Sequence, residues 1–207
     1  MSDQIVFYTH PMSRGRIIRW LLEEVGQPYE THVLDFAAMK DPAYLAVNSM
    51  GKVPAVKHGD TVITECAAIC AYMADAFPEA KLAPPVGGKL RGDYYRWLFF
   101  AAGPLETAVT VKSLGFEVPA ERQAMAGWGS YGAVLDTLEQ ALTGREYLVG
   151  GSFTAADLYV ASHLAWGLQF GSIEDRPVFR DYASRMTSRP ADARATQIDD
   201  ALIAAAA

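Results

Sequence analysis

The sequence predicts two domains of different class: a mixed α/β half of order β-α-β-α-β-β-α over residues 1–78, then an all-helical half over 89–207. Three observations predict it. Up to Phe77, short apolar runs alternate with stretches of helical period. Residues 79–88, EAKLAPPVGG, are rich in Pro and Gly, carry no usable period and read as a linker. Beyond the linker every periodic stretch is helical.

The elements follow in order. IVFY at 5–8 reads as a buried strand, and Ile17, Ile18, Leu21, Leu22 and Val25 recur at helical spacing until Gly26 stops them. THVLDF at 31–36 is the second strand, and DPAYLAV at 41–47 a short helix with Asp41 as cap and Pro42 at its first position. VPAVKHGDTVIT at 53–64 reads as a hairpin around His58-Gly59-Asp60. Ile69, Tyr72, Met73, Ala76 and Phe77 mark a helix closed by Pro78. A strand–helix–strand start argues a parallel pair and the hairpin an antiparallel edge, so one mixed sheet with helices on its faces is expected. In the second half, helices are predicted over 89–112, 119–143, 154–168, 177–188 and 190–205. The segment over 154–168 carries the best local signal: Thr154 and Asp157 form a capping box, flanked by Phe153 and Leu158 in staple positions.

With 207 residues, a net charge of −6 and about half of its residues apolar, the chain can build a core, and its overall field repels nucleic acid and anionic lipid. No apolar run approaches the roughly 20 residues that span a bilayer, and the N-terminus lacks the order of a signal peptide. A cytoplasmic protein with no membrane or nucleic-acid partner is expected. Cys66 and Cys70, four positions apart and without ligating neighbours, are expected to be free thiols, and no metal is expected.

One stretch resists the strand pattern. NSMGKVP at 48–54 puts a proline where a strand begins, although proline gives no N–H to a sheet. In a thioredoxin-like sheet a cis Val53–Pro54 bond would leave the N–H and C=O of Val53 open to pair with an extended peptide. A trans proline opening an edge strand fits the position equally well.

Over its whole length the chain resembles a cytosolic glutathione S-transferase. The resemblance is carried by FYTHPMSRGRIIRWLLEE, NSMGKVPAV, TECAAICAYMAD and FTAADLYVASHL, in order and at matching spacings. It implies a thioredoxin-like domain followed by an all-helical one, glutathione as co-substrate, and a homodimer. The implied activity is conjugation of the glutathione thiolate to small hydrophobic electrophiles. Glutathione-dependent peroxide reduction and a non-catalytic binding or dimerisation module are the alternatives.

The resemblance also implies roles for residues. Val53 and Pro54 meet the cysteinyl unit. Glu65 meets the γ-glutamyl ammonium, and Cys66 stands where relatives have a serine for the adjoining carboxylate. A thiol donates weakly, so helix N–H groups carry that task. Lys40 and Lys52 lie where relatives bind the glycyl carboxylate, with Asn48 fixing the loop. For the sulfur there are two candidates. Ser13 precedes the first helix, as in theta-like and many bacterial members; Tyr8 ends the first strand, as in others. Ser13 is favoured because the helix dipole also acts there, in a first turn that holds Arg14 and Arg16 and no acid. A thiol with a pKa near 8.5 is only a few per cent ionised at neutral pH, and lowering it by two units takes about 2.7 kcal/mol. One hydroxyl bonded to the anion supplies roughly 1.5–3 kcal/mol. His10 lies beside the expected thiolate. Met12, Phe99, Phe100, Leu105 and Trp166 are the expected walls of an electrophile pocket.

Overall fold

The computed structural model describes residues 4–206. The chain divides into two compact units, Met1–Leu82 with Arg189–Ala207, and Ala83–Ser188. The boundary lies inside the predicted linker, but the second unit stops at Ser188, not at the chain end. The expected helical domain of 89–207 is corrected accordingly: its last helix belongs to the first unit.

In the first unit, β1 (Ile5–Thr9), β2 (Tyr29–Val33), β3 (Ala55–His58) and β4 (Thr61–Thr64) form one sheet of order β2-β1-β3-β4. β1 pairs parallel with β2 and antiparallel with β3, which pairs antiparallel with β4. The sheet is the mixed one expected. Strand β2 ends earlier than THVLDF suggested, because Asp35 turns its Oδ1 to accept the Ala38 N–H at 2.7 Å and opens a 3-10 turn over Ala38–Lys40. Helix α1 (Gly15–Val25) buries Ile17, Ile18, Leu21, Leu22 and Val25, and Gly26 ends it in the left-handed conformation, its N–H on the Leu22 carbonyl at 2.9 Å. Helices α2 (Pro42–Leu45) and α3 (Cys66–Ala76) complete the pattern.

The reason for the last helix's placement is a charge. Arg19, in the middle of α1, is buried, its guanidinium 5.1 Å from the Phe7 ring centroid. Its Nε donates to Oδ1 of Asp199 at 2.9 Å, and its Nη1 to Thr31 Oγ1 at 3.1 Å. Asp199 sits on the last helix and is itself fully buried. Arg16–Asp200, Arg189–Glu24 and Arg194–Glu23 flank this pair along the two helices. Arg16 is therefore paired, not simply an addition of positive charge at the start of α1.

The second unit contains α4 (Leu90–Phe100), α5 (Glu106–Ser113), α6 (Tyr131–Leu142), α7 (Ala155–Gln169) and α8 (Pro177–Thr187); α9 (Pro190–Ala206) is the helix that joins the first unit. Two predicted helices are shorter than their patterns. The stretch 89–112 is interrupted by a π turn over Ala101–Leu105 holding Pro104, which has no N–H for a regular ladder. The stretch 119–143 is a 3-10 turn over Ala120–Met125 and then α6, because Gly129 takes φ 66° and Ser130 restarts the helix, its hydroxyl accepting the Ala133 N–H at 3.2 Å.

Helix α7 carries the capping box. Asp157 is fully buried and accepts from Thr154 N–H, Thr154 Oγ1, Leu148 N–H and Tyr182 Oη at 2.6–2.9 Å. Burial pushes its carboxyl up, and these four donors pull it back. The residue is a cap and also the polar knot joining α7, α8 and the 148 loop.

Removing Asp199 leaves a buried guanidinium without its counter-ion. Asp199→Ala is expected to cost about 3–5 kcal/mol in urea unfolding. The double variant Arg19→Met/Asp199→Leu should recover most of that loss, because no charge is then left buried. Equal losses in single and double variants would deny the pair this role.

A second expectation concerns pH. Asp192, half-buried in the first turn of α9, has its carboxyl pushed up to about 6, by burial first, with Arg16 pulling down and Glu24 pushing up. The folded value lies above the unfolded one of about 3.9. The folded chain thus holds this proton more tightly, a contribution complete below about pH 4 and lost as pH rises through about 6. Asp192→Asn should match the wild type near pH 4 and exceed it by about 1 kcal/mol at pH 7.5, a figure discounted for solvent screening.

Candidate glutathione site at the end of the sheet

Register brings the predicted residues together. Tyr8 pairs with Ala55, and Ala55 with Thr64. Just beyond these pairs lie Val53 and Pro54, the loop after β1 and Glu65, all at one end of the sheet. The Val53–Pro54 bond is cis, which decides between the two readings of NSMGKVP. Neither main-chain group of Val53 has a hydrogen-bond partner among the described residues.

The residues before Val53 are held by a clamp. Asn48, buried, donates from Nδ2 to the Lys52 carbonyl at 2.7 Å and accepts the Met50 N–H on Oδ1 at 3.1 Å. Tyr44 donates its hydroxyl to the same Lys52 carbonyl at 2.7 Å. Burial raises the Tyr44 phenol to about 12, with the Asn48 contact lowering it and Tyr8 raising it, so it remains a donor across the neutral range. Sequence reading missed Tyr44 in this role; its place in DPAYLAV, a helix too short to need a buried tyrosine for its own stability, was the available signal. Lys40 Nζ rests 3.3 Å from the carbonyls of Met50 and Gly51, beside the exposed Lys52.

The two hydroxyl candidates lie differently. Along β1 Phe7 and Thr9 are buried, and Tyr8 alternates to the other face, its ring 5.1 Å from His32 and 5.6 Å from Tyr44. Ser13 lies on the Thr9 side, at the opening of α1. Its Oγ accepts the Gly15 N–H at 3.0 Å and donates to the His10 carbonyl at 2.7 Å. Gly15 is required there: a Cβ would fall 1.9 Å from Thr9 Oγ1 and 3.1 Å from Ser13 Oγ. Nearby, His10 accepts the Met12 N–H on Nδ1 at 3.1 Å and stacks on Phe36 at 4.3 Å, which leaves Nε2 to carry the proton of the neutral ring.

Helix α3 opens against this loop. Glu65, exposed at its N-cap, has φ 67° and ψ 121°, a left-handed setting unusual for a residue with a Cβ. No side chain caps α3, so its first turn presents N–H groups to an anion. The Cys66 thiol is directed to the Arg14 carbonyl, Sγ to O 3.9 Å, tying α3 to the Ser13 loop. Cys66 and Cys70 are both buried and form no disulfide, and burial pushes the Cys70 thiol well up.

The arrangement is an open main-chain edge, a hydroxyl at one helix start, an uncapped second helix start with an acid beside it, and two lysines by the preceding loop. Comparison with known proteins identifies the family. Models of the glutathione S-transferase N-terminal and C-terminal domains match residues 4–75 and 107–190. The chain belongs to the glutathione S-transferase family.

Glutathione S-transferase GST-4.5 of Xanthomonas campestris is 30% identical over 162 residues, covering 75% of this chain and 76% of that one. GstA of Escherichia coli O157:H7 is 30% identical over 163 residues, with coverage of 78% and 77%. Among solved structures, a glutathione transferase from Methylococcus capsulatus superposes with a TM-score of 0.78 at 28% identity, covering 95% of this chain and 98% of its own. A sphingomonad glutathione S-transferase complexed with glutathione gives 0.77 at 28% identity, covering 94% and 98%.

In this transferase the expected pocket walls fare unevenly. Met12 and Phe99 are exposed, at 65% and 70%, and Phe100 and Trp166 are half-buried. Leu105 is fully buried in the π turn of the helical unit and offers a ligand no surface, so it is withdrawn as a wall. Among the described residues no cluster of three or more His, Cys, Asp or Glu could hold a metal, and no helix is long and apolar enough to cross a membrane.

The tight opening of α1 yields a test. Gly15→Ala should destabilise by about 1–3 kcal/mol, an overpacking cost. Thr9 Oγ1 has no hydrogen-bond partner among the described residues. Thr9→Ala therefore relieves the clash without breaking a bond, and Gly15→Ala/Thr9→Ala should regain most of the loss in denaturant midpoint.

Proposed function

We propose that this transferase conjugates glutathione to small hydrophobic electrophiles and that it is of the serine type, Ser13 stabilising the thiolate. The carrying observation is the open edge of Val53 beside the Ser13 loop. An extended tripeptide pairs with that edge through its cysteinyl N–H and C=O. The uncapped turn at Cys66 takes the γ-glutamyl carboxylate, Glu65 its ammonium, and Lys40 and Lys52 the glycyl carboxylate. Since the Cys66 thiol is turned to Arg14, main-chain N–H groups do the work that a serine hydroxyl does in relatives.

Ser13 is suited to exchange one partner for another. Its oxygen is held by the Gly15 N–H while its proton rests on the His10 carbonyl, a neutral hydrogen bond of about 0.5–1.5 kcal/mol net. Turning that proton to a sulfur anion exchanges it for a charge-assisted bond of roughly 1.5–3 kcal/mol, with the dipole of α1 adding about 0.3–1 kcal/mol. The thiol proton leaves to solvent. The thiolate then attacks the electrophilic carbon, the S–C bond forms, and the leaving group departs with its electron pair. No bond to the enzyme forms at any stage. Tyr8 alternates with Thr9 along β1 and has its ring beside His32 and Tyr44, which supports Ser13 over Tyr8. The protein acts as a cytoplasmic homodimer, following its resemblance.

Ser13→Ala is expected to lower kcat/KM with a chromogenic aryl halide by at least tenfold, while Tyr8→Phe stays within twofold. The reverse pattern hands the role to Tyr8. Retention on immobilised glutathione without turnover against several electrophiles would make the chain a binding module.

A further inference from the structure

The open edge at Val53 offers one donor and one acceptor, and the donor belongs to a peptide group held from its other side. The Val53 N–H shares that group with the Lys52 carbonyl. The bond between the two residues is trans, because among the described residues only Val53–Pro54 is cis. Carbonyl and N–H therefore point in opposite directions across one rigid plane, and whatever fixes the oxygen aims the proton. Two side chains fix it: Tyr44 Oη and Asn48 Nδ2 each donate to the Lys52 oxygen at 2.7 Å. Together they occupy both of its lone pairs.

The two donors do different work. Asn48 also accepts the Met50 N–H at 3.1 Å, so it shapes the turn that leads to Lys52. Tyr44 reaches the same oxygen from α2, its ring 4% exposed and 5.6 Å from that of Tyr8. A phenylalanine ring would fill that space equally well, and Asn48 alone already satisfies the buried oxygen. The Tyr44 hydroxyl is thus surplus to the packing of α2 and to the shape of the turn. Its effect falls on the peptide plane. A second hydrogen bond on the oxygen restrains the plane from rocking and polarises the amide, which makes its N–H a stronger donor.

We propose that Tyr44 is a positioning residue for glutathione: through the Lys52 carbonyl, its hydroxyl aims and strengthens the Val53 N–H that meets the cysteinyl carbonyl. This role rests on the reading of the Val53 edge as the partner of the tripeptide. It leaves Ser13 and the start of α1 untouched, so Tyr44 acts on the binding of glutathione and not on the step at sulfur.

Tyr44→Phe keeps the ring and removes the hydroxyl, and near-UV circular dichroism with a thermal melt confirms that the variant is folded. In the full-length protein with a chromogenic aryl halide, its KM for glutathione is expected to rise about fivefold, with kcat within about twofold of wild type. Two probes separate this role from a general loosening of the loop. One is S-hexylglutathione; the other is the same molecule with a trans double bond in place of the cysteinyl–glycyl amide, which offers the Val53 N–H no carbonyl. In isothermal titration calorimetry, Tyr44→Phe should weaken the first about fivefold and leave the second within about twofold. Equal weakening of both probes, no weakening of the first, or a fall in kcat with KM unchanged overturns the proposal. Failure of the wild type to bind S-hexylglutathione sinks the glutathione reading and this role with it. Wild-type binding and turnover alongside an unaltered Tyr44→Phe sinks this role alone.

Discussion

A buried guanidinium governs how the first unit is built. Arg19 lies inside α1 against the Phe7 ring, where an uncompensated charge costs several kcal/mol. Asp199 meets it, and to do so the last helix of the chain must lie along α1, some 180 residues later in sequence. Such a pair contributes little net stability over an apolar one, yet its breaking is severe, so it acts as a selector of arrangement. Once α9 is in place, Asp200 neutralises Arg16 and Glu24 receives Arg189. The helix whose start carries Ser13 is thereby held along its length from a distant part of the chain.

The site at the sheet end follows from register and from what the main chain leaves unused. Strand pairing sets Val53, the Ser13 loop and Glu65 at one end, and the clamp of Asn48 and Tyr44 on the Lys52 carbonyl fixes the approach to Val53. Alternation along β1 separates the two hydroxyl candidates, because Thr9 faces the opening of α1 and Tyr8 cannot share its face. The left-handed backbone at Glu65 turns the chain sharply into α3 and leaves that helix without a side-chain cap. Affinity for an anion is built from main-chain groups here, which tolerates a cysteine at 66.

Much of this was legible beforehand, and the reasons differ by residue. Gly26 and the Thr154–Asp157 box are local signals whose physics needs no distant partner, so they read directly. Pro104 and Gly129 were in plain view, but helical periodicity around them masked the breaks they impose. Asp35 was read as strand because an apolar alternation surrounds it, whereas its carboxylate prefers to turn the backbone. Tyr44 and Asn48 gain their roles only when the loop folds over them.

By itself the sequence determined the order of elements, the mixed sheet, the helical second half and the residues from which a glutathione site could be assembled. These depend on local hydrophobic period, caps and turn residues, each decided within a few positions of chain. Tertiary structure decided the isomer at Val53–Pro54, the unit to which α9 belongs and the face on which each hydroxyl lies. The place of α9 rests on a pairing between distant residues, Arg19 with Asp199, whose energy exists only once burial has removed water from around it.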